Sequence, residues 1–460
     1  MKKNEGTNLI VNDSIVNRSK TNAYLSVGQF IEGEAILTFD KPWEGDHCVY
    51  LNFFKDGDIY RMYYLAHSVK KPLDELKVCY AESKDGFHWE KPELGLRYYN
   101  KSKANNIILD KTDKPEEGDF FDNFFVFKDT NPHCKKNQLY KALAYKNPYK
   151  LECYFSNDGI HFTKGYPIDV EGYFDTLNTC FYDNNLKRYV AYIRGLHNIV
   201  DKNDLNKATR DIRRIESKDF KNWKESGQLD FGNSDDIPLY TNNVMKLYES
   251  TYIGLPTRYI ERPKWNDSFE KLTGRDARLE RMKVHPRYGL AITDCLFMLS
   301  SDSKKWQRFD EAILTPGLEN ESNWVYGDCY PAYGYIEKDG YYHFFLRRNQ
   351  WSDNPTVIYD YKIRKDGFAY YFAKYKEKVI SLKRLKLKNN KIFMNFSTSA
   401  AGYIRFEISC DNICLKSEEM FGDSLNREIS IDEFQLGQLI DKEVEIKIYL
   451  KDAKIYSISI

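Results

Sequence analysis

One phrase recurs along the chain and limits what it can fold into. It reads Ser83-Lys84-Asp85-Gly86-Phe87-His88-Trp89 and returns as Ser156-Asn157-Asp158-Gly159-Ile160-His161-Phe162. Worn copies stand at Ser217-Lys218-Asp219-Phe220-Lys221-Asn222-Trp223 and Ser301-Asp302-Ser303-Lys304-Lys305-Trp306, with a last trace at Arg364-Lys365-Asp366-Gly367-Phe368. Asp and Gly supply turn chemistry, and the closing aromatic packs on a neighbouring strand. A turn repeated roughly every 60 to 80 residues marks one supersecondary unit used about five times.

The residues before each copy give the unit its content. Val49-Tyr50-Leu51-Asn52-Phe53-Phe54 is followed by an Asp56-Gly57 turn, a second strand from Tyr60 to Ala66, and a third from Val78 to Glu82 that enters the Ser83 phrase. This is meander chemistry. Equivalent runs open at Asp122, Phe174, Leu239 and Trp324. A strongly charged insertion over about 260–287 reads as helical in the fourth unit. From about residue 376 the phrase stops and half-exposed alternation replaces it, as in Val444-Glu445-Ile446-Lys447-Ile448-Tyr449-Leu450. The expected fold is therefore all-β: a five-bladed β-propeller over 36–375, then a C-terminal β-sandwich over 376–460. Residues 1–35 are expected to pack on the propeller as an extension, wrapping the first blade or supplying a closing strand.

Composition excludes some function classes. Lys plus Arg (69) nearly balance Asp plus Glu (68), which gives no electrostatic case for a nucleic acid or an anionic membrane as main partner. No apolar run is long enough for a membrane span, and no apolar stretch follows the basic start as in a signal peptide, so a cytoplasmic location is expected. The nine cysteines are scattered without a Cys-x-x-Cys pair, and the eight histidines show no metal-ligand spacing. Neither a glycine-rich phosphate loop nor a Gly-x-Ser-x-Gly elbow occurs. No cofactor and no metal are expected; oligomeric state is left open.

In a propeller the innermost strands begin around one axial funnel, so polar residues far apart in sequence converge there. Those starts hold Glu44 and Asp46, then Asp122, Asp175, Tyr240 with Asn242, and Asp328. Glycoside cleavage needs such carboxylates: one protonates the leaving oxygen, another attacks the anomeric carbon or activates water. On Arg210-Asp211-Ile212-Arg213-Arg214, Asp211 and Arg213 face one way and Arg210, Ile212 and Arg214 the other. An arginine in the funnel suits an anionic sugar, a carboxylate or a phosphate. The same residues also have a purely structural reading, as turn caps and an ion-pair ladder. Arg347 and Arg348 end a unit-five strand within reach of the funnel.

Five blades followed by a sandwich resemble the glycoside hydrolases of the invertase and levanase type (family 32). The propeller alone resembles the arabinanase and xylosidase type (family 43) and the mannoside phosphorylase type (family 130). Pro42-Trp43-Glu44-Gly45, Lys91-Pro92-Glu93-Leu94-Gly95-Leu96, Arg210-Asp211-Ile212-Arg213-Arg214 and Thr398-Ser399-Ala400-Ala401-Gly402 resemble uncharacterised bacterial family-32-like proteins most. The resemblance implies Asp46 or Glu44 as nucleophile or base, Asp122 as transition-state stabiliser and Asp175 as general acid. It departs at the invertase Trp-x-Asn-Asp-Pro-Asn-Gly motif, replaced by Trp43-Glu44-Gly45-Asp46, and at the Arg-Asp-Pro and Glu-Cys motifs, which are missing. These departures speak against fructan as substrate. The expectation is a glycoside hydrolase acting on an oligosaccharide or polysaccharide, with Asp46, Asp122 and Asp175 catalytic. Glu44, Arg210, Asp211, Arg213, Tyr240, Asn242 and Asp328 are the expected substrate-binding residues. The alternatives are a phosphorylase or glycosyl-transferring enzyme on the same scaffold, and a non-catalytic glycan-binding protein.

Overall fold

The computed structural model describes residues 6–68, 76–113, 122–146, 149–201, 205, 208–350 and 354–460; the reading of the first five residues lies outside them. Five antiparallel sheets form the propeller. Blade 1 comprises His47–Asp56, Ile59–His67, Lys77–Ser83 and Trp89–Glu90, with Ile107–Leu109 added against its third strand. Blade 2 is Asp122–Lys128, Tyr140–Lys146, Lys150–Ser156 and Thr163–Ile168. Blade 3 is Thr179–Asp183, Arg188–His197, Thr209–Ser217 and Trp223–Gln228. Blade 4 is Leu239–Tyr248, Thr251–Glu261, Ala291–Ser300 and Gln307–Leu314. Blade 5 takes Ile336–Lys338, Tyr341–Arg348 and Val357–Arg364 from its own stretch, and its outer strand, Ile31–Thr38, from the start of the chain. That strand closes the ring, as the blades' sequence order alone cannot.

The repeated phrase is a lock between strands and between blades. Ser83 Oγ accepts from Gly86 N at 2.9 Å, while one Asp85 oxygen accepts from Phe87 N and His88 N, both at 2.9 Å. Ser156 and Asp158 repeat the pattern, as do Ser217 and Asp219 in part. In the fourth copy the serine is Ser300, one place earlier than the sequence reading put it: Ser303 N donates to Ser300 Oγ at 2.9 Å, and Asp302 accepts from Lys304 N and Lys305 N. The third turn position needs a left-handed backbone, supplied by Gly86 (φ 84°) and Gly159 (φ 79°) but also by Phe220 (φ 63°) and Ser303 (φ 66°). Its carbonyl then receives a tyrosine from the preceding blade, Tyr63 on Gly159 O (2.8 Å) and Tyr192 on Ser303 O (3.2 Å).

A second staple sits where the inner strands of blades 1, 2 and 3 end. Asp56 accepts from Tyr140 OH of the next blade at 2.5 Å, Asp129 from Tyr189 OH at 2.7 Å, and Asp183 from Tyr252 OH at 2.5 Å. Aromatic and aliphatic side chains fill the space between blades, as where Phe125, Phe127 and Phe155 meet Leu177, Tyr189 and Phe220.

The chain leaves the propeller through its last turn. Phe393–Cys410 and Glu443–Ser459 pair along most of their length at the centre of a nine-stranded antiparallel sheet. Their register breaks between Asn395 and Phe396 and between Thr398 and Tyr403, and such bulges bend a sheet over its own core. The C-terminal layer thus forms as one continuous bent sheet. Alternation sets its faces: Val444, Ile446, Ile448 and Leu450 are buried, with Glu445, Lys447 and Tyr449 between them half-exposed. Ala369–Ala373 already belongs to this sheet, and so do Tyr24–Val27 and Thr7–Leu9. No helix among the described residues is long and apolar enough to cross a membrane.

Candidate functional site

A cavity of about 1160 Å³ opens where the inner strands begin. Asp46, His47 and Tyr50 reach it from blade 1, Asp122 from blade 2, Asp175 from the entry to blade 3, Tyr240 from blade 4, and Tyr326, Tyr330 and Arg347 from the blade 5 segment. The charged insertion forms helices Asp267–Lys271, Arg275–Val284 and Arg287–Leu290, and the last two roof the cavity. The first is capped by Asn266, whose side chain accepts from Ser268 N and Phe269 N. Arg275, Glu280, Arg281, Arg287 and Tyr288 of this roof border the cavity.

Backbone irregularity aims the floor residues. Blade 1's inner strand slips register between Val49 and Asn52, and Tyr50 inside that slip has φ 54°. Asn123, directly after Asp122, has φ 57°, opposite a slip between Leu143 and Tyr145. Left-handed geometry is costly for a tyrosine and tolerated by asparagine. Asp175 stands on a loop clamped from beneath: Asn178 Nδ2 donates to Phe174 O and Thr176 O, both at 2.8 Å. Asn178 Oδ1 in turn accepts from Arg194 N at 3.3 Å.

The electrostatics separate the acids. Burial pushes the Asp122 carboxyl up to about 7, the neighbouring Asp175 charge adds to the rise, and the Asn123 amide and Arg194 oppose it. Asp175, 47% exposed, lies 3.6 Å from Arg194 Nη2. Arg194 also donates from Nε to Tyr173 O at 2.6 Å and lies over the Tyr240 ring. Tyr50 is raised well above the usual phenol range by burial, then by Tyr240, Asp175 and Asp122, so it shares a field with both acids. Ser68 Oγ donates to Asp46 Oδ2 at 3.0 Å.

Of the residues singled out from sequence, Asp46, Asp122, Asp175, Tyr240 and Arg347 meet on this cavity. Arg210 borders an adjoining recess of about 160 Å³, shared with Asp175, Tyr240 and Arg287, and stacks over Tyr259 and Tyr240. Glu44 is fully buried away from the lining, accepting from Tyr64 OH (2.6 Å), Lys91 Nζ and Lys41 N (both 2.8 Å). Asp211 is occupied by His197 and Arg213, and Arg213 itself by Asp211 and Leu196 O. Asp328 is buried and taken by Arg348 Nη1 (3.0 Å), Cys329 N and Trp324 N. Asn242 is buried beside Gly254, with neither amide atom hydrogen-bonded. Tyr50, Arg194, Tyr326 and Tyr330 are not singled out from sequence: Tyr50 is aimed by a bulge, Arg194 lies within a strand, and Tyr326 and Tyr330 stand in the irregular stretch before Ile336–Lys338, none of which spacing alone shows. Among the described residues no group of three His, Cys, Asp or Glu is placed to hold a metal ion.

No family model and no curated protein matches the sequence. Among solved structures, the chain is similar to a fructofuranosidase from Schwanniomyces occidentalis complexed with fructosylnystose (11% identity over 95% of this chain and 99% of that one, TM-score 0.41). It is similar to a Bombyx mori family 32 β-fructofuranosidase (10% identity, 96% and 94%, TM-score 0.39). A third is a structure from the family of mannoside phosphorylases that contains glycoside hydrolases targeting β-1,2 mannosidic linkages in Candida mannan (13% identity, 72% and 94%, TM-score 0.41). Likenesses this distant leave the chemistry to the residues themselves.

Proposed function

We propose that this chain is a carbohydrate-active enzyme that cleaves a glycosidic bond in the funnel. One observation carries the reading: carboxylates from three consecutive blades border one cavity, and the proximity of Asp175 helps Asp122 keep its proton to about pH 7. Two acids whose environments set their proton affinities apart are what acid–base cleavage requires. Asp122 donates its proton to the leaving oxygen. Asp175, steadied by Arg194, attacks the anomeric carbon or activates water, and Asp46 closes the third side. This gives Asp122 the acid role that the family resemblance implies for Asp175, and gives Asp175 the nucleophile or base role that it implies for Asp46 or Glu44. The tyrosines around the acids, Tyr50, Tyr240, Tyr326 and Tyr330, offer ring faces and hydroxyls to a sugar.

The test is turnover of a panel of aryl glycosides by Asp122→Asn and Asp175→Asn variants. Removing either acid should cost roughly 100-fold or more, with circular dichroism unchanged and no loss of melting temperature. Full activity in both variants ends the assignment. Phosphorolysis on the same scaffold is favoured by one feature, a buried funnel arginine, Arg347, with no carboxylate partner among the described residues. Turnover that appears only with added phosphate distinguishes it. Saturable glycan binding without any turnover in the wild type leaves a non-catalytic binding protein.

A further inference from the structure

The wall between blades 1 and 5 has a chemistry of its own. Arg347, only 6% exposed, ends Tyr341–Arg348 and borders the funnel. Its Nη1 donates to Cys48 O at 3.4 Å and its Nη2 to Gly327 O at 3.2 Å, both long, and its Nε has no partner. The neighbouring Arg348 takes the carboxylate of Asp328; Arg347 forms no ion pair among the described residues. Gln350, 1% exposed, leaves both amide atoms unpaired beside it. The two meet at Gly327 on the funnel wall, where a Cβ would stand 3.0 Å from Arg347 Nη2 and from Gln350 Oε1. A glycine there lets the guanidinium and the amide pack against the backbone of the funnel wall, with Arg347 on the lining and Gln350 behind it. His47 and His67 adjoin them with rings 4.9 Å apart. Both imidazoles are held below the usual range, His67 to about 4, by burial first; Arg347 contributes to each, while Asp46 and Lys77 also act on His67 in opposite senses.

Asp328 acts on Arg347 from a distance but is engaged by Arg348, and a buried guanidinium with no ion pair of its own is disfavoured unless something brings one. Its planar fork fits a carboxylate or phosphate. We infer that Arg347, with Gln350 beside it, forms a subsite for an anionic oxygen group, carboxylate or phosphate, on a molecule that enters the funnel. That the molecule is a glycan or its phosphate co-substrate rests on the reading proposed above; the anion binding itself does not.

The experiment is calorimetric titration of the full chain with inorganic phosphate, with D-glucuronate, and with glucose as neutral control. At least one anion is expected to bind saturably, more weakly at high salt, and Arg347→Gln is expected to weaken it at least tenfold. Gln350→Leu, which removes an unpaired buried amide and so favours folding, is expected to weaken it several-fold and decides the matter if Arg347→Gln does not fold. Binding of phosphate alone assigns the subsite to a co-substrate; binding of glucuronate alone assigns it to an acidic sugar. Asp122→Asn is expected to retain the anion, so loss of turnover and loss of the subsite are separately visible. Binding of neither anion, or equal binding by the wild type and the folded variants, overturns the inference.

Discussion

Asp122 sets the pH behaviour of the proposed reaction. A group that must deliver a proton limits the rate on the alkaline side, so kcat/KM is expected to fall as pH rises through about 7. Because the Asp175 charge is one cause of that position, Asp175→Asn should move the Asp122 titration to lower pH, which carbon NMR of the carboxyl reads without needing activity. Folding carries the same sign. The folded-state pKa lies above the ordinary aspartate value of 3.8, so the folded chain holds the extra proton and stability declines as pH rises toward 7. Asp122→Asn, neutral throughout, should gain stability over the wild type at about pH 8, by up to roughly 4 kcal/mol, and little near pH 4. A flat pH profile, or an unchanged Asp122 titration in Asp175→Asn, sinks the assignment of the proton. Four residues of this site were legible because inner-strand starts can be counted back from a repeated turn. Counting does not show what stands beside an acid. Glu44 has Lys91, Asp211 has His197 and Arg213, and Asp328 has Arg348. Except for Arg213, which shares a strand with Asp211, those partners come from other segments of the chain, and the slips that aim Tyr50 and Asp122 leave no mark in spacing.

At the scale of the element, the chain repeats two polar devices with different worth. The turn aspartates are exposed in part and held well below the usual carboxylate range; backbone amides dominate at Asp85, and at Asp158 the amides of His161 and Ile160 outweigh the opposing effect of burial. The inner-strand aspartates are buried. Asp129 takes Tyr189 OH at 2.7 Å and Lys141 Nζ at 2.5 Å, in a pair with side chains 0% and 3% exposed. Asp158→Ala resembles loss of a helix cap and should cost about 1 kcal/mol. Asp129→Ala leaves a buried ammonium and should cost about 3–5 kcal/mol. Denaturant midpoints at neutral pH check both, and equal losses contradict the distinction. The Asp158 contribution, coming from a depressed pKa, is present at neutral pH and fades as pH falls below the ordinary aspartate range. Turnover should survive Asp158→Ala, since the turn does not border the funnel. Sequence displays the turns plainly because their chemistry is local. It hides the Asp–Tyr staples, whose partners lie in successive blades, and it sets the fourth turn one residue late because two serines, Ser300 and Ser301, stand in a row.

Across the whole molecule, propeller and C-terminal sheet share one interior. Phe297, Tyr342, Phe344 and Phe368 of the propeller side belong to the same buried cluster as Phe396, Ile448 and Ile455 of the sheet. Phe368 stacks on Phe297 with ring centroids 5.1 Å apart and on Tyr342 at 5.6 Å. The worn fifth turn has become the joint: Asp366 accepts from Tyr248 OH (2.5 Å), Tyr342 OH (3.1 Å) and Ser457 Oγ (2.6 Å), tying blades 4 and 5 to the sheet. The start of the chain crosses the same seam, giving Thr7–Leu9 and Tyr24–Val27 to the sheet and Ile31–Thr38 to blade 5. The change of pattern near residue 376 marks a change of architecture, but a shared core has no signature in local alternation. A continuous core unfolds cooperatively. Calorimetry is therefore expected to show one transition for the full chain, and Asp366→Ala, which removes an acceptor from three buried or half-buried hydroxyls, should destabilise all of it by about 2–4 kcal/mol. Two resolved transitions, of which Asp366→Ala moves only one, would mean that the sheet and the propeller hold themselves together separately.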